Sequence, residues 1–214
     1  MGFQFAMLMG LVYAVIGIRV VADLWRNRAQ IFDLNLTPND RMQITQAAFF
    51  LLVPLSVALH ELGHAIAVWS FGGRVIDFGF YVFAGYVSYA EPFTEFQHLV
   101  VAAAGTIVNI IIGVVVIGFV LLKRPPLRPA YSELLITFAV LQGANALIFY
   151  PLLDFATDMN GDWRQMYSGD AGNWRWVVLA VHAGLLGGAY LLSKQPGFRK
   201  RLGVLTGMPP GVER

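Results

Sequence analysis

His60, Glu61 and His64 stand in the order His-Glu-Leu-Gly-His inside a hydrophobic stretch that runs from Ala47 through Trp69. In a helix, residues i and i+4 share one face, so the two imidazoles can grip a single metal ion. Glu61 adjoins them and can take a proton from a water that the metal activates. A lone match to this spacing in a soluble helix is weakly specific. Here the flanks are apolar on both sides, and ionisable groups are costly in such a segment unless they are paired or bind metal. The pattern therefore implies a metal site able to split water.

Composition narrows the metal and the setting. The 214-residue chain is 57% hydrophobic and 13% charged, with a mean hydropathy of +0.61. Soluble domains sit near about 45–50% apolar and about 25% charged, so this is the composition of a membrane protein. The chain has no cysteine, which excludes disulfides and thiolate ligands. Histidine and carboxylate must hold the metal, a donor set that favours a single zinc ion. The net charge is +2, and the basic residues flank apolar segments instead of forming a block, so nucleic-acid binding has no support.

The elements that must position these residues emerge from a window of about 20 apolar residues. Five segments satisfy it: Gly2 to about Val21, about Ile44 to Trp69, Leu99 to Leu122, about Leu134 to Leu153, and roughly Trp174 to Leu192. The first lacks a basic leader and a small-residue cleavage site, and reads as an uncleaved helix. Between the second and third, Arg74 to Tyr89 is rich in β-branched and aromatic residues and punctuated by glycine, the pattern of two strands joined near Gly85. Such a hairpin either packs on the bundle or offers its edge to an extended peptide. The expected fold is an all-α polytopic membrane protein of about five transmembrane helices with a small membrane-associated β-hairpin between the second and third. We read residues 1–214 as one integral-membrane domain, with a core at about 44–167, an N-terminal helix 2–21, and a C-terminal helix 174–192 with a basic tail.

Loop charge orients this arrangement. Arg26, Arg28, Arg41, Lys123, Arg124, Arg128 and the tail residues Lys194, Arg199, Lys200, Arg201 and Arg214 fall on one side, against Arg74, Arg164 and Arg175 on the other. The positive-inside rule then puts the C-terminus in the cytoplasm and the N-terminus outside.

His60-Glu61-Leu62-Gly63-His64-Ala65, with Ala104-Gly105-Thr106-Ile107-Val108-Asn109 in the next apolar segment, resembles the site-2 protease family of intramembrane zinc metallopeptidases. Thr106 stands where the family has proline. The likeness covers roughly Leu51 to Tyr167. It implies a three-helix core formed by the second to fourth segments, with the β-rich Gly72 to Tyr89 between the first two. It also implies an aspartate as third ligand, in a stretch where an asparagine and a proline precede Asp-Gly. No Asp-Gly pair exists here, and three aspartates compete. Asp154 keeps the Pro-x-Leu-Asp spacing from Pro151. Asp162 comes after the turn signal Met159-Asn160-Gly161 and precedes Trp163, Met166 and Tyr167 at helical spacing, where the helix dipole favours a carboxylate. We favour Asp162, then Asp154, then Asp158, the others being turn caps. By the same resemblance Asn145 helps to hold substrate near the metal. Asn109 is read as facing another helix, Gly105, Gly113 and Gly118 as close-packing positions, and His98 and His182 as interfacial or hydrogen-bonded.

The expected activity is that of a zinc-dependent intramembrane endopeptidase acting on transmembrane or membrane-adjacent segments of other proteins in the bilayer. His60, His64 and an aspartate bind zinc, and Glu61 acts as base and then acid. The alternative is a catalytically inactive relative that binds clients or metal without cleavage. The missing Asp-Gly and Thr106 favour the alternative, and the intact Glu61 opposes it. A metal transporter would need polar residues along several helices, and the first, third and fifth segments carry too few.

Overall fold

The structure, a computed structural model, describes residues 2–90, 92–156 and 161–208. Asp158 lies outside the described residues, as do Met159 and Asn160 of the turn signal.

Helix α1 spans Gly2–Ile31 and contains the first apolar segment. Helix α2, Pro38–Ala47, starts at a reciprocal cap. Thr37 Oγ1 accepts from the Asp40 N–H at 3.2 Å, and Asp40 Oδ2 accepts from the Thr37 N–H at 2.9 Å. Pro38 then supplies a preset φ where no N–H partner is needed. A π-helical turn at Ala48–Leu52 joins α2 to α3, Val53–Ser70. Helix α4, Glu95–Leu122, begins four residues before the expected Leu99. A second π turn, Asn145–Phe149, joins α5, Pro129–Ala144, to α6, Tyr150–Ala156. The short α7, Asp162–Tyr167, precedes α8, Trp174–Lys194, and α9, Pro196–Leu205.

Among the described residues, four helical stretches are long and apolar enough to cross a membrane: Pro38–Ser70, Glu95–Leu122, Pro129–Ala156 and Trp174–Lys194. Helix α8 buries none of its side chains, and Trp176, Val181 and Leu191 are exposed. An apolar helix with nothing packed on most of its surface suits lipid better than water.

Strands β1, Arg74–Phe80, and β2, Gly85–Ala90, pair antiparallel between α3 and α4 in sequence, as expected. Phe80 lies opposite Gly85 and Val75 opposite Tyr89, with a register shift between Val75 and Asp77. The turn falls just before Gly85. The Tyr81 N–H donates to Ala84 O at 2.7 Å, and the Phe83 N–H to Tyr81 O at 2.9 Å. Val82 between them has φ +72°, a strained conformation for a β-branched residue.

The chain divides into two compact units. The first comprises Met1–Leu55, Ile112–Leu141 and Tyr190–Arg214. Its cores are Val120, Ile136, Leu202 and Leu205, and Ile31, Ile44 and Ala130. Within it, Arg41 donates to Glu133 Oε2 at 2.6 Å and to Thr206 O at 2.8 Å, so a buried carboxylate is paired. The second comprises Ser56–Ile111 and Gln142–Ala189. Its cores are Ala67, Val68 and Val101, and Ala102, Trp163 and Met166. Every candidate site residue among the described ones lies in this second unit.

Candidate metal centre

Helix α3 turns His60, Glu61 and His64 inward, each only 5–6% exposed. The two Nε2 atoms stand 3.1 Å apart. Asp162 Oδ2 lies 3.0 Å from His60 Nε2 and 3.1 Å from His64 Nε2. The three atoms thus form a nearly equilateral triangle. Tetrahedral zinc, with bonds of about 2.05 Å, separates neighbouring ligand atoms by about 3.3 Å, so the triangle needs only slight spreading to serve as one face.

The chemistry of the donors leads to the same fit. His64 Nδ1 lies 2.7 Å from Val101 O. A carbonyl only accepts, so Nδ1 carries the proton and Nε2 is left to face the carboxylate. Three acceptor-capable atoms at this separation repel one another unless protons or a cation lie between them. Burial raises the Asp162 carboxyl, but hydrogen bonds from His60 and His64 outweigh it and hold the group at about 2. The cluster is built around positive charge. His60, His64 and Asp162 form a group that could hold a metal ion.

Asp162 reaches this position because α7 is anchored behind it. The Trp163 N–H donates to Asp154 Oδ2 at 2.8 Å, which caps the short helix with a second carboxylate. Gly161 has φ −77° and ψ 176°, ordinary extended backbone, so it is not required for a left-handed turn. Space requires it instead: a Cβ there would run into the Asp154 carboxylate. Trp163 and Met166 pack against Ala102, Leu147 and Tyr150. His182 on α8 donates from Nε2 to Leu147 O at 2.9 Å and accepts from the Tyr167 hydroxyl at 3.0 Å. Its ring lies 4.2 Å from that of Trp163.

Helix α4 closes the site with an absence of side chain. A Cβ on Gly105 would fall among His60 Nε2 and His64 Nε2. One turn away on α3, a Cβ on Gly63 would lie 2.8 Å from Val108 Cγ2 and 3.1 Å from Ala104 O. Gly105 does more than the helix packing expected of it, since it also leaves the room in which the ligand atoms meet. Asn109, 2% exposed, bonds through its side chain to Tyr150 on α6 and so faces another helix, as expected.

A cavity of about 390 Å³ opens on the triangle, and its walls include Glu61, Phe83, Gly85 and Tyr150. The hairpin backbone overlies the glutamate closely: a Cβ on Gly85 would lie 2.7 Å from Glu61 Oε1. Tyr86 donates to Asp77 Oδ2 at 2.6 Å, and that bond pushes the phenol up to about 12. The Tyr89 hydroxyl pairs with His98 Nδ1 at 3.2 Å. Asn145 opens the second π turn, half-buried, and is not among the cavity walls. Tyr150 is among them, and nothing in its own segment signals that place.

The sequence model of peptidase family M50 matches residues 48–198, well over half of the chain. Comparison with curated proteins and with solved structures found no match.

Proposed function

The chain belongs to peptidase family M50, the site-2 protease family, and from that membership we propose that it is a zinc-dependent endopeptidase that cuts transmembrane or membrane-adjacent segments of other proteins. The observation that carries the proposal is the triangle of His60 Nε2, His64 Nε2 and Asp162 Oδ2, with sides of 3.0–3.1 Å, beside Glu61. These three residues would hold one zinc ion. Bound there, zinc would polarise a carbonyl and lower the pKa of water towards about 7.

Glu61 takes a proton as the water oxygen bonds to the scissile carbonyl carbon and the C=O π pair moves onto oxygen. As the tetrahedral species collapses, the C–N bond breaks and Glu61 passes its proton to the leaving nitrogen. One water is consumed per bond cut. A transmembrane helix hides its amides in internal hydrogen bonds, so substrate must unwind before attack. An extended segment lying along β2 would recover those bonds, and the nearness of Gly85 to Glu61 supports delivery by that route. From the family resemblance, Asn145 is proposed to help hold substrate near the metal. The four apolar helices support an integral membrane protein. Loop charge supports a cytoplasmic C-terminus, and we treat 1–214 as a single peptidase domain despite its two compact units.

The test is zinc analysis of detergent-purified protein together with cleavage of a synthetic transmembrane peptide by wild type and Glu61→Gln. We expect about one zinc per chain in both and cleavage only by the wild type, since the amide keeps size but cannot take the proton. Equal cleavage by both would refute the role of Glu61. Zinc without cleavage in the wild type would favour the non-cutting relative.

A further inference from the structure

Hydrolysis by this site would place negative charge on the former carbonyl oxygen, and a hydrogen-bond donor aimed there lowers the barrier. Among the described residues, three tyrosines line the cavity: Tyr86, Tyr89 and Tyr150. Tyr86 spends its proton on Asp77, and Tyr89 is paired with His98. Tyr150 differs. It opens α6 directly after the π turn, half-buried, with its ring centroid 5.3 Å from that of His60. Its hydroxyl is hydrogen-bonded to the Asn109 side chain. Among the described residues Asn109 Oδ1 has no hydrogen-bond partner, so the bond runs from the amide NH₂ to the phenol oxygen. Used as an acceptor, the hydroxyl keeps its own proton free.

Resting on the peptidase reading above, we infer that Tyr150 is a catalytic residue. It donates its phenol hydrogen to the scissile carbonyl oxygen as that oxygen gains charge, and Asn109 is the positioning residue that turns the hydroxyl. No bond to the phenol proton breaks; the phenol supplies a hydrogen bond, while the transferred proton travels through Glu61.

The experiment compares wild type, Tyr150→Phe, Asn109→Leu and the double variant as full-length zinc-loaded protein. Three readouts are taken: kcat and KM on a synthetic transmembrane peptide, zinc content, and affinity for an apolar phosphinic peptide, tetrahedral and anionic where the amide would react. Loss of one such donor costs about 10²–10³-fold in kcat, so Tyr150→Phe should fall by about that factor with KM changed less than about threefold. Affinity for the phosphinic peptide should fall in parallel, affinity for the plain amide peptide should not, and zinc should stay. The double variant should match Tyr150→Phe, because Asn109 acts only through the hydroxyl. Unchanged kcat and phosphinic affinity in Tyr150→Phe would overturn the inference, as would loss of zinc, which would assign the ring to packing of the ligands. If the wild type cuts nothing while phosphinic affinity still depends on the hydroxyl, the peptidase reading fails and the contact stands.

Discussion

Gly161→Ala tests how the third ligand is held, without touching any ligand. The new Cβ would occupy the space of the Asp154 carboxylate. The backbone has little freedom to yield, because Gly161 O accepts the Gln165 N–H at 3.1 Å within the first turn of α7. The carboxylate must therefore swing away and give up its 2.8 Å bond to the Trp163 N–H. A hydrogen bond to a charged group contributes about 1.5–3 kcal/mol. Supporting contacts around metal sites are typically worth about 10–100-fold in affinity, the same range at about 1.4 kcal/mol per tenfold. We expect zinc affinity, read by competition with a chromogenic chelator in detergent, to weaken by about 10–100-fold while helix content is kept. Asp154→Ala loses the same bond and should weaken zinc equally. The double variant should be no worse than Asp154→Ala, since alanine at 154 clears the space that the new methyl needs. Zinc binding by Gly161→Ala within about threefold of wild type, or a double variant carrying the sum of both losses, would refute the reasoning.

The same geometry sets three further outcomes. His60→Ala and His64→Ala should each lose zinc as well as activity, because two ligands hold the ion poorly; full occupancy after either change would put the metal elsewhere. Gly105→Ala should release zinc by pushing a methyl between the two Nε2 atoms, and a zinc content equal to wild type would mean that α3 and α4 part easily. Val87→Pro removes a backbone donor from β2 and should slow cleavage without releasing zinc. Normal rates in that variant and in proline variants across 76–89 would make the hairpin a packing element alone.

Legibility in the sequence depends on patterns carried within one segment. The spacing of His60 and His64 needs only the helical period, and the hairpin announces itself by β-branched and aromatic residues between glycines. Asp162 stands out because Trp163, Met166 and Tyr167 repeat at helical spacing behind it, and α7 does begin at Asp162. The less legible features arise between segments. Gly105 reads as one small residue among several until α3 sets two imidazoles against it. Gly161 suggests a turn needing unusual backbone angles, whereas the neighbour that demands a glycine is Asp154, seven residues earlier. The π turns at Ala48–Leu52 and Asn145–Phe149 add a residue to the helical repeat and rotate the facing of the helices beyond them. The resemblance points to Asn145 as a substrate contact, and no pattern within its segment marks Tyr150, which is the one of the two that lines the cavity.

The two imidazoles are held by different means, and the difference orders how the site assembles. His64 is fixed from α4, since its Nδ1–H is bonded to Val101 O through the ring nitrogen that does not face Asp162. His60 Nδ1 is buried without a hydrogen-bond partner among the described residues, at a cost of about 1–3 kcal/mol for an unsatisfied polar atom. Its ring is oriented through Nε2, towards Asp162 and His64, and by packing near Tyr150. Asp162 in turn rides on a six-residue helix pinned by Asp154 behind and by Trp163 and His182 at the flank. One half of the metal site is therefore set by α3 and α4 alone, while the other is only as firm as α7. A perturbation of α7 reaches His60 through Asp162 before it reaches His64, so weakened variants of this protein should fail first at the His60–Asp162 edge of the triangle.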